Sequence, residues 1–458
     1  MELLAGIEKR AAEVAVIGMG YVGLPLSMEI VRAGYTVHGI DTDPNKIEKL
    51  KSGVSYILDV DGRELGLWTG YGAIRPGTDY AVLAQADIAV LCVPTPLDGK
   101  REPDTSYIEA SVDQLVRHIK KGTLIILEST TYPGTTELLL RRRIEEKLDW
   151  QAGRDFYVCF SPERVDPGNR QFSLRATPKV IGGSTPACLE VGRAFYKTVF
   201  QRVVPVSSNE AAELAKLLEN TFRSVNIGLV NELAGLCERM GVSIWEVVDA
   251  AATKPFGFMP FYPGPGVGGH CIPIDPLYLS WKAERMGVRL KFIELADELH
   301  RSMPERLTGR IKALLEADGR VLEGAKVVIC GMAYKKDTDD VRESPALELM
   351  EHLLEKGAKV AYHDPHVPVC RVAGEAFESE EAEPDLWDRA DIVVIATDHK
   401  AVDYQQLVDH ARLVFDTRNA TKGCTGGRIA LFGGSGTADA AWAAGTDKDE
   451  EDGGGWTV

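Results

Sequence analysis

One of the eight cysteines lies in a loop made largely of glycine and proline. The segment 263–276 reads PGPGVGGHCIPIDP, and its four glycines within six residues disfavour both helix and strand. Cys271 therefore stands in a loop lined by backbone, just before a predicted helix. Thiols near helix N-termini have lowered pKa values, which makes Cys271 a candidate nucleophile. Asp275 follows four residues later, where it either shares a pocket with the thiol or caps the helix.

A lysine and an asparagine stand one helical turn apart upstream of this loop. Lys216 and Asn220 lie four residues apart in a predicted helix that is otherwise largely apolar, so their side chains share one face. An ammonium and an amide on one face are suited to binding an oxyanion or an alkoxide. The alternative interpretation is a solvated helix face.

Three glycines near the N-terminus have the spacing of a dinucleotide-binding turn. Gly18, Gly20 and Gly23 separate a predicted strand from a predicted helix, and Asp41 ends the next strand. Such glycines permit a tight turn, the approach of a pyrophosphate and close helix packing, while the acid accepts from a ribose hydroxyl. Because a carboxylate repels a 2′-phosphate, NAD is predicted rather than NADP. The cofactor contacts predicted here are Gly18, Met19, Gly20, Tyr21, Val22, Gly23, Asp41 and Lys46.

Short polar segments follow two further predicted strands. VPTP occupies 93–96 and ESTT occupies 128–131, and the carboxyl ends of strands line the ligand crevice of open α/β sheets. Pro94, Thr95 and Thr130 are therefore predicted to contact nicotinamide, ribose or water. Turn formation alone is the alternative.

These residues need a scaffold, and the order of predicted elements supplies one. Short apolar strands alternate with helices up to about residue 205, and strands return after 324. Between them, helical periodicity runs from about 209 to 252 and, as a second stretch, from about 275 to 314. The predicted fold class is α/β, with two Rossmann-like doubly wound domains at 1–205 and 315–432. A central helical region at 206–314 joins them and carries the cysteine loop. Residues 433–458 are predicted to form a disordered acidic tail.

The amino-acid composition narrows the class of protein further. The 458 residues are 45% hydrophobic and 26% charged, as in soluble globular proteins, and the net charge of -16 disfavours binding to nucleic acid or membranes. A small anionic ligand held by a few local cations remains compatible. A signal peptide or a spanning segment is not recognised, so a cytoplasmic protein is predicted. The cysteines show no metal-ligand spacing, so we expect reduced thiols and no metal site.

Seven motifs together resemble those of the UDP-glucose/GDP-mannose dehydrogenase family over roughly residues 12 to 432. They are GMGYVGLP at 18–25, VPTP at 93–96, ESTTYPGTT at 128–136, SPER at 161–164, AELAKLLEN at 212–220, GPGVGGHCIPIDP at 264–276 and GMAYKKDTDDVRESP at 331–345. The resemblance implies an NAD-binding Rossmann domain, a central dimerisation region and a C-terminal domain that binds UDP. It also implies a homodimer or a higher homo-oligomer.

The resemblance further implies a twofold oxidation of a sugar C6 alcohol to a carboxylate, with two NAD per turnover. Cys271 would hold the intermediate first as a thiohemiacetal and then as a thioester. Lys216 and Asn220 would stabilise the oxyanion, and Asp275 would assist proton transfer and the hydrolytic water. Thr130 would position water, and Glu163 would act as acid and base. Arg342 is implied to contact the cofactor, and the implied substrate-binding residues are Glu163, Arg164, Lys216, Asn220, Tyr262, Gly268, Lys335 and Arg418.

The substrate is predicted from finer details of the motifs. The cysteine loop, and REPD at 101–104 after VPTPL, resemble the branch that oxidises N-acetylhexosamines, with UDP-N-acetylglucosamine favoured. UDP-N-acetylmannosamine, UDP-glucose and a single-step β-hydroxyacid-type dehydrogenase, which needs no thiol, are the alternatives. A nucleotide sensor without catalysis fits poorly with the candidate residues that are present. His300 departs from the family, which commonly carries Asn there, and it bears on a helix contact or the sugar pocket.

Overall fold

The computed structural model describes residues 2–57, 59–164 and 173–435. The chain packs into two units, the first formed by Met1–Asn220 with Ile274–Arg289 and the second by Thr221–Pro273 with the described residues of Leu290–Val458. The predicted tail lies outside the described residues from 436 onward. Its first residue lies within the described residues, and the Gly433 N–H donates to Glu238 at 2.7 Å.

The first unit is built on a mostly parallel sheet. Its strands are β1 Glu13–Ile17, β2 Thr36–Ile40, β3 Ile74–Gly77, β4 Ile88–Leu91, β5 Leu124–Leu127, β6 Tyr157–Phe160, β7 Lys179–Gly183 and β8 Val203–Pro205. Among the described residues the strand order is β3-β2-β1-β4-β5-β6-β7-β8, and only β6 and β7 pair antiparallel. Strands β4 and β5 are buried at every position, as expected for parallel strands that are covered on both faces.

Helices cover this sheet and begin where the sequence supplies caps. They are α1 Glu2–Glu8, α2 Gly23–Arg32, α3 Pro44–Lys51, α4 Gly62–Gly70, α5 Ser106–His118, α6 Arg142–Leu148 and α7 Pro186–Val199. A 3₁₀ turn at Tyr80–Ala84 and a π-helical turn at Thr136–Arg141 complete the set. Asp43 caps α3 and Thr185 caps α7, and each cap is followed by proline, a residue suited to the first helical position.

A helical region follows, as predicted. It comprises α8 Asn209–Met240, α9 Ile244–Ala252, α10 Asp275–Glu284 and α11 Lys291–Ala317. The boundary between the units falls within α8, and α10 belongs to the first unit. The sequence suggested one helical stretch from about 275 to 314, whereas the structure has two helices there. Gly287 explains the break, since its φ of +74° ends the first of them.

The second unit carries a smaller parallel sheet. Its strands are β9 Lys326–Cys330, β10 Lys359–His363, β11 Val369–Val372, β12 Glu375–Glu378, β13 Ile392–Ile395, β14 Val414–Asp416 and β15 Ile429–Leu431, and its further helices are α12 Pro345–Glu355, α13 Pro384–Asp388 and α14 Tyr404–His410. In the described residues five strands run parallel in the order β10-β9-β13-β14-β15, and β11 and β12 form a separate hairpin.

The predicted α/β class, with two parallel sheets and helices between them, is confirmed. The hairpin β11–β12 and the short edge strands β3, β8 and β15 were not foreseen. Of the helices in the described parts of the chain, none is both long and apolar enough to cross a membrane.

Candidate active site

The glycine turn has the geometry of a site at which the backbone and a ligand can approach each other closely. Gly18 adopts φ +90°, and a Cβ added to Gly23 would lie 1.8 Å from the Gly18 carbonyl oxygen. These two positions therefore exclude side chains for reasons of packing. At Gly20, by contrast, an added Cβ would meet no atom within 4 Å. The turn thus leaves open space at the one glycine predicted to face a pyrophosphate.

Asp41 is buried and tied to this turn. Its Oδ2 accepts from the Met19 N–H at 2.9 Å and lies 3.5 Å from Nζ of Lys46, while Oδ1 accepts from the Asp43 N–H at 3.0 Å. The predicted carboxylate and Lys46 are therefore brought together at the turn. Sequence reasoning missed Tyr56, whose hydroxyl donates to the Met19 carbonyl at 2.5 Å.

The two hydroxyl segments meet at the carboxyl ends of β4 and β5. The Thr95 hydroxyl donates to the Thr130 carbonyl at 2.6 Å, and the Ser129 hydroxyl donates to the Val93 carbonyl at 2.7 Å. The carbonyl of Thr95 also accepts a hydrogen bond from the Tyr278 hydroxyl of α10. These bonds fix both segments at the sheet edge that lines ligand crevices in open α/β folds.

Lys216, Asn220 and Asp275 form a buried group in the first unit. The Asn220 amide donates to Oδ2 of Asp275 at 2.5 Å, and all three residues are less than a tenth exposed. Burial raises the pKa of Asp275 to about 6, while the charge of Lys216 and the Asn220 hydrogen bond oppose that rise. Asp275 is the first residue of α10 and not its cap, since Ile274 holds the capping position. The Asp275 side chain therefore does not cap α10.

Cys271 is half-buried in a loop of the second unit. A Cβ at Gly268 would lie 2.6 Å from Cβ of Tyr334, and one at Gly269 would lie 2.7 Å from the ring of the same tyrosine. The Gly269 N–H donates to the Arg342 carbonyl at 2.9 Å. The glycines thus let the loop pack against the 331–345 segment.

The remaining cationic residues that were predicted for the site also lie in the second unit, as does Tyr262. Arg418 donates to the Ala396 carbonyl at 2.9 Å, and its guanidinium lies beside Gly264 of the cysteine loop. Arg342 pairs with Asp340 at 2.6 Å. The Tyr262 hydroxyl donates to Asp249 at 2.7 Å. Lys335 is half-buried, in the 331–345 segment.

Glu163 and Arg164 follow β6 in the first unit. Arg164 pairs with Glu219 at 2.6 Å, next to Asn220 in sequence. Glu163 contacts Lys179 at 3.2 Å, and Lys179 also contacts the buried Glu128 at 2.6 Å. Sequence reasoning assigned nothing to Lys179 and Glu128. One signal was present, since a lysine that opens an apolar strand needs buried partners.

Two histidines occupy polar positions in the second unit. His300 is buried and bonded through Nε2 to the Ser224 carbonyl at 2.9 Å, which makes it a contact between α11 and α8. His399 lies with Asp337 and His366 in a group that has the chemistry of metal ligands. However, Nδ1 of His399 already accepts from the Asp337 N–H, and Nε2 donates to Asp364. Both ring nitrogens of His399 therefore serve the protein.

The predicted site residues fall into two sets, one in each unit. The first unit carries Gly18 to Gly23, Asp41, Lys46, Pro94, Thr95, Thr130, Glu163, Arg164, Lys216, Asn220 and Asp275, and the second carries Tyr262, Gly268, Cys271, Lys335, Arg342 and Arg418. The chain passes from Cys271 in one set to Asp275 in the other across three residues.

An open glycine turn that leads into a helix, with a buried acid after the next strand, defines a dinucleotide-binding α/β protein. Three sequence profiles of one family match the chain: its NAD binding domain over residues 12–200, its central domain over 210–301 and its UDP binding domain over 328–423. The chain belongs to the UDP-glucose/GDP-mannose dehydrogenase family and is an NAD-dependent UDP-sugar dehydrogenase. The resemblance, the cofactor and the enzyme class predicted from the sequence are confirmed.

Individual relatives agree with this assignment. A UDP-N-acetyl-D-mannosamine dehydrogenase of Pyrococcus horikoshii is 35% identical over 416 residues, which cover 89% of this chain and 96% of the relative. A UDP-N-acetyl-D-glucosamine 6-dehydrogenase of Pseudomonas aeruginosa is 35% identical over 357 residues, covering 78% and 83%. The solved structure of a UDP-D-ManNAc dehydrogenase from Pyrococcus horikoshii superposes with a TM-score of 0.84 at 33% identity, covering 92% of this chain and 99% of that one.

Proposed function

We propose that the protein oxidises the C6 primary alcohol of a UDP-N-acetylhexosamine to the uronic acid in two NAD-dependent steps. The observation that carries this proposal is the buried group of Lys216, Asn220 and Asp275, from which the chain leads within four residues to the half-buried Cys271. An ammonium, an amide, a carboxyl group and a thiol are the groups that a covalent twofold oxidation needs.

The glycine turn and Asp41 are proposed to hold NAD. The open space at Gly20 fits the pyrophosphate, and the buried Asp41 fits a ribose hydroxyl. Pro94, Thr95, Thr130 and Arg342 are the further proposed cofactor contacts, with Met19, Tyr21, Val22 and Lys46 along the turn. When bound, NAD takes a hydride equivalent from the sugar C6 carbon in each of the two oxidations.

Cys271 is proposed to retain the sugar between these oxidations. Its sulfur adds to the C6 aldehyde carbon and gives a thiohemiacetal, which the second oxidation converts into a thioester. Water then attacks the thioester carbon, the C–S bond breaks, and the thiol and the carboxylate are released. Overall, one alcohol, two NAD⁺ and one water give one carboxylate, two NADH and three protons.

The charged and polar groups of the first unit are proposed to manage oxyanions and protons. Lys216 and Asn220 stabilise the oxygen that becomes negative, and Thr130 positions water. Asp275 assists proton transfer, for which a pKa of about 6 is suited, because such a group exchanges protons near neutral pH. Glu163 acts as acid and base.

The substrate is proposed to be held through both its diphosphate and its sugar. Lys335 and Arg418 supply positive charge for the diphosphate, which explains how an acidic protein binds an anionic ligand. Arg164, Tyr262 and Gly268 are the other proposed contacts, together with Glu163, Lys216 and Asn220. The motifs favour the glucosamine epimer, whereas the relative from Pyrococcus horikoshii named above acts on the mannosamine epimer.

A panel of UDP-sugars tests the reaction and the epimer together. We expect two NADH per sugar with UDP-N-acetylglucosamine or UDP-N-acetylmannosamine, and slower release with UDP-glucose. Release of one NADH with an accumulating carbonyl product would instead support the single-step β-hydroxyacid-type reaction. Binding of both ligands without turnover would support a sensor.

We also propose a homodimer formed along α8. Leu229, Leu233, Leu236 and Met240 are all exposed, and their spacing of four, three and four residues is that of a helix packing seam. A second copy supplies the same apolar seam. Leu236→Glu should shift the sedimenting species to a monomer, and an unchanged species would exclude this face.

A cytoplasmic location is proposed from the sequence, because the eight cysteines are scattered without the spacing of a disulfide framework, as expected for a protein of a reducing compartment. Recovery of the protein from an extracytoplasmic fraction of its host would contradict this proposal.

A further inference from the structure

A buried lysine joins two glutamates at one edge of the first sheet. Because β7 runs antiparallel to β6, its first residue, Lys179, lies near the edge where β5 and β6 end. The Lys179 side chain is 3% exposed, and its Nζ lies 2.6 Å from Glu128, 3.2 Å from Glu163 and 3.3 Å from the Pro162 carbonyl. An ammonium has three N–H donors, so these acceptors match its capacity.

Glu128 is the deeper of the two carboxyl groups. Its side chain is fully buried, and it accepts from Lys179 at one oxygen and from the Tyr196 hydroxyl of α7 at the other. Burial raises the pKa of Glu128 to about 7. The charge of Lys179 lowers that pKa, and the charge of Glu163 raises it. The Cys92 thiol also lies within electrostatic reach, and burial raises its pKa, so it stays neutral.

Glu163 lies at the outer side of the same ammonium. Its side chain is 13% exposed, and its other oxygen accepts from the Arg164 N–H at 2.6 Å. Although burial alone would lower the pKa of Lys179, the charges of Glu128 and Glu163 outweigh burial and raise that pKa. One permanent positive charge is thus shared by two carboxyl groups. Two carboxylates around one site interact strongly, and each disfavours ionisation of the other.

We propose that Lys179 is a positioning residue that fixes the orientation of Glu163, and that Glu128 tunes the proton affinity of Glu163 by competing for the same ammonium. This inference rests on the proposed role of Glu163 as acid and base. Neither Lys179 nor Glu128 needs to touch the substrate. Tyr196 holds Glu128 in place from α7, so that the competition acts through a fixed geometry.

The rate–pH profile of NADH release tests the inference, because a merely structural role would not move its limbs. Glu163→Gln first identifies the limb that belongs to Glu163, since that limb should disappear. Glu128→Gln removes the competing negative charge and should move this limb to lower pH by about one unit. Lys179→Met removes the positive charge and should move it to higher pH. Lys121→Met, which removes an outer lysine that pairs with Asp155 and lies over the Trp150 ring, should leave it in place.

The outcomes separate the inference from the function on which it rests. If Glu163→Gln leaves both rate and profile unchanged, the proposed role of Glu163 fails. If Glu163→Gln removes a limb that Glu128→Gln and Lys179→Met leave in place, the role of Glu163 stands and the inference is overturned. Should Lys179→Met fail to fold, Glu128→Gln decides alone, because it preserves the shape of the buried side chain. Lys179→Arg should return the limb towards its original position.

Discussion

The Asn220 amide donates to Oδ2 of Asp275 at 2.5 Å, although the two residues are fifty-five positions apart in the chain. The bond joins α8 to the first turn of α10 inside the first unit. Asp275 is buried, so its carboxylate is stabilised by the hydrogen bond from this amide and by the charge of Lys216. The position of the carboxyl group after the cysteine loop therefore depends on two side chains of α8.

Asp275→Asn should lower the turnover number by roughly 10²–10⁴-fold, the usual contribution of a group that transfers protons. The amide keeps the size of the side chain but loses its proton exchange. Steady-state NADH release measures the effect, with exposed Glu146→Gln as the control that should keep full activity. A variant with undiminished turnover would remove Asp275 from the chemistry.

The same substitution should change the pH dependence of stability. Since the pKa of Asp275 is raised from 3.8 to about 6 in the folded protein, the fold favours its protonated form, and that stability is lost as pH rises through about 6. Asp275→Asn should therefore gain about 2 kcal/mol relative to the original protein between about pH 4.5 and about pH 7.5. Denaturant unfolding of the ligand-free protein measures this gain, and a difference that does not vary with pH would contradict it.

Cys271→Ser should bind both ligands normally but lose turnover by roughly 10³-fold or more, because a hydroxyl does not replace the thiolate as nucleophile. Calorimetry checks binding, and single-turnover assays count the NADH released. Cys424→Ser is the matched control, since Cys424 is also half-buried but lies outside the loop. Full double oxidation by Cys271→Ser would exclude the sulfur from the mechanism.

Asp41→Ala should weaken NAD binding by about 10- to 100-fold, the worth of one or more hydrogen bonds to a charged group. It should also reduce the discrimination against NADP, because the carboxylate that repels a 2′-phosphate is gone. Dissociation constants for both cofactors measure the change. Asp43→Ala is the nearby control. It should remove the N-cap of α3 but keep Asp41, the acceptor of the Met19 N–H. Equal affinities in Asp41→Ala and the original protein would refute the ribose contact.

Two glycines of the turn should separate binding from stability. Gly20→Ala should fold normally, because its Cβ enters open space, yet it should bind NAD at least about tenfold more weakly if that space receives the pyrophosphate. Gly23→Ala should destabilise the fold, since its Cβ would lie 1.8 Å from a carbonyl oxygen. Thermal unfolding and cofactor titration of both variants provide the check. Normal NAD affinity in Gly20→Ala would exclude a pyrophosphate there.

The elements that the sequence predicted well are those with strong local signals. Strand β1, the glycine turn and α2 appear where apolar runs and glycine spacing indicated them. The edge strands were missed for physical reasons, because β3 contains a proline and is largely uncovered, and β8 has three residues. Such segments form through pairing with a neighbour and not through their own propensity.

The candidate site shows the same division between local and long-range information. Motif spacing identified Lys216, Asn220 and Asp275, and the structure brings these three together. Motif spacing did not identify Lys179, because its partner Glu128 lies fifty-one positions away in the chain and no local pattern joins the two residues. Nor did it indicate Tyr278, which contacts the Thr95 carbonyl from a helix that returns late in the chain.

The late return of α10 to the first unit has a consequence for synthesis of the chain. A nascent polypeptide that has reached Asn220 still lacks Ile274 and Tyr278, which pack against Tyr132 and Leu217. The first unit therefore cannot complete its core until the ribosome has passed Arg289. Any excised version of that unit needs the 274–289 segment supplied as well, or it will present an uncovered apolar surface to chaperones and proteases.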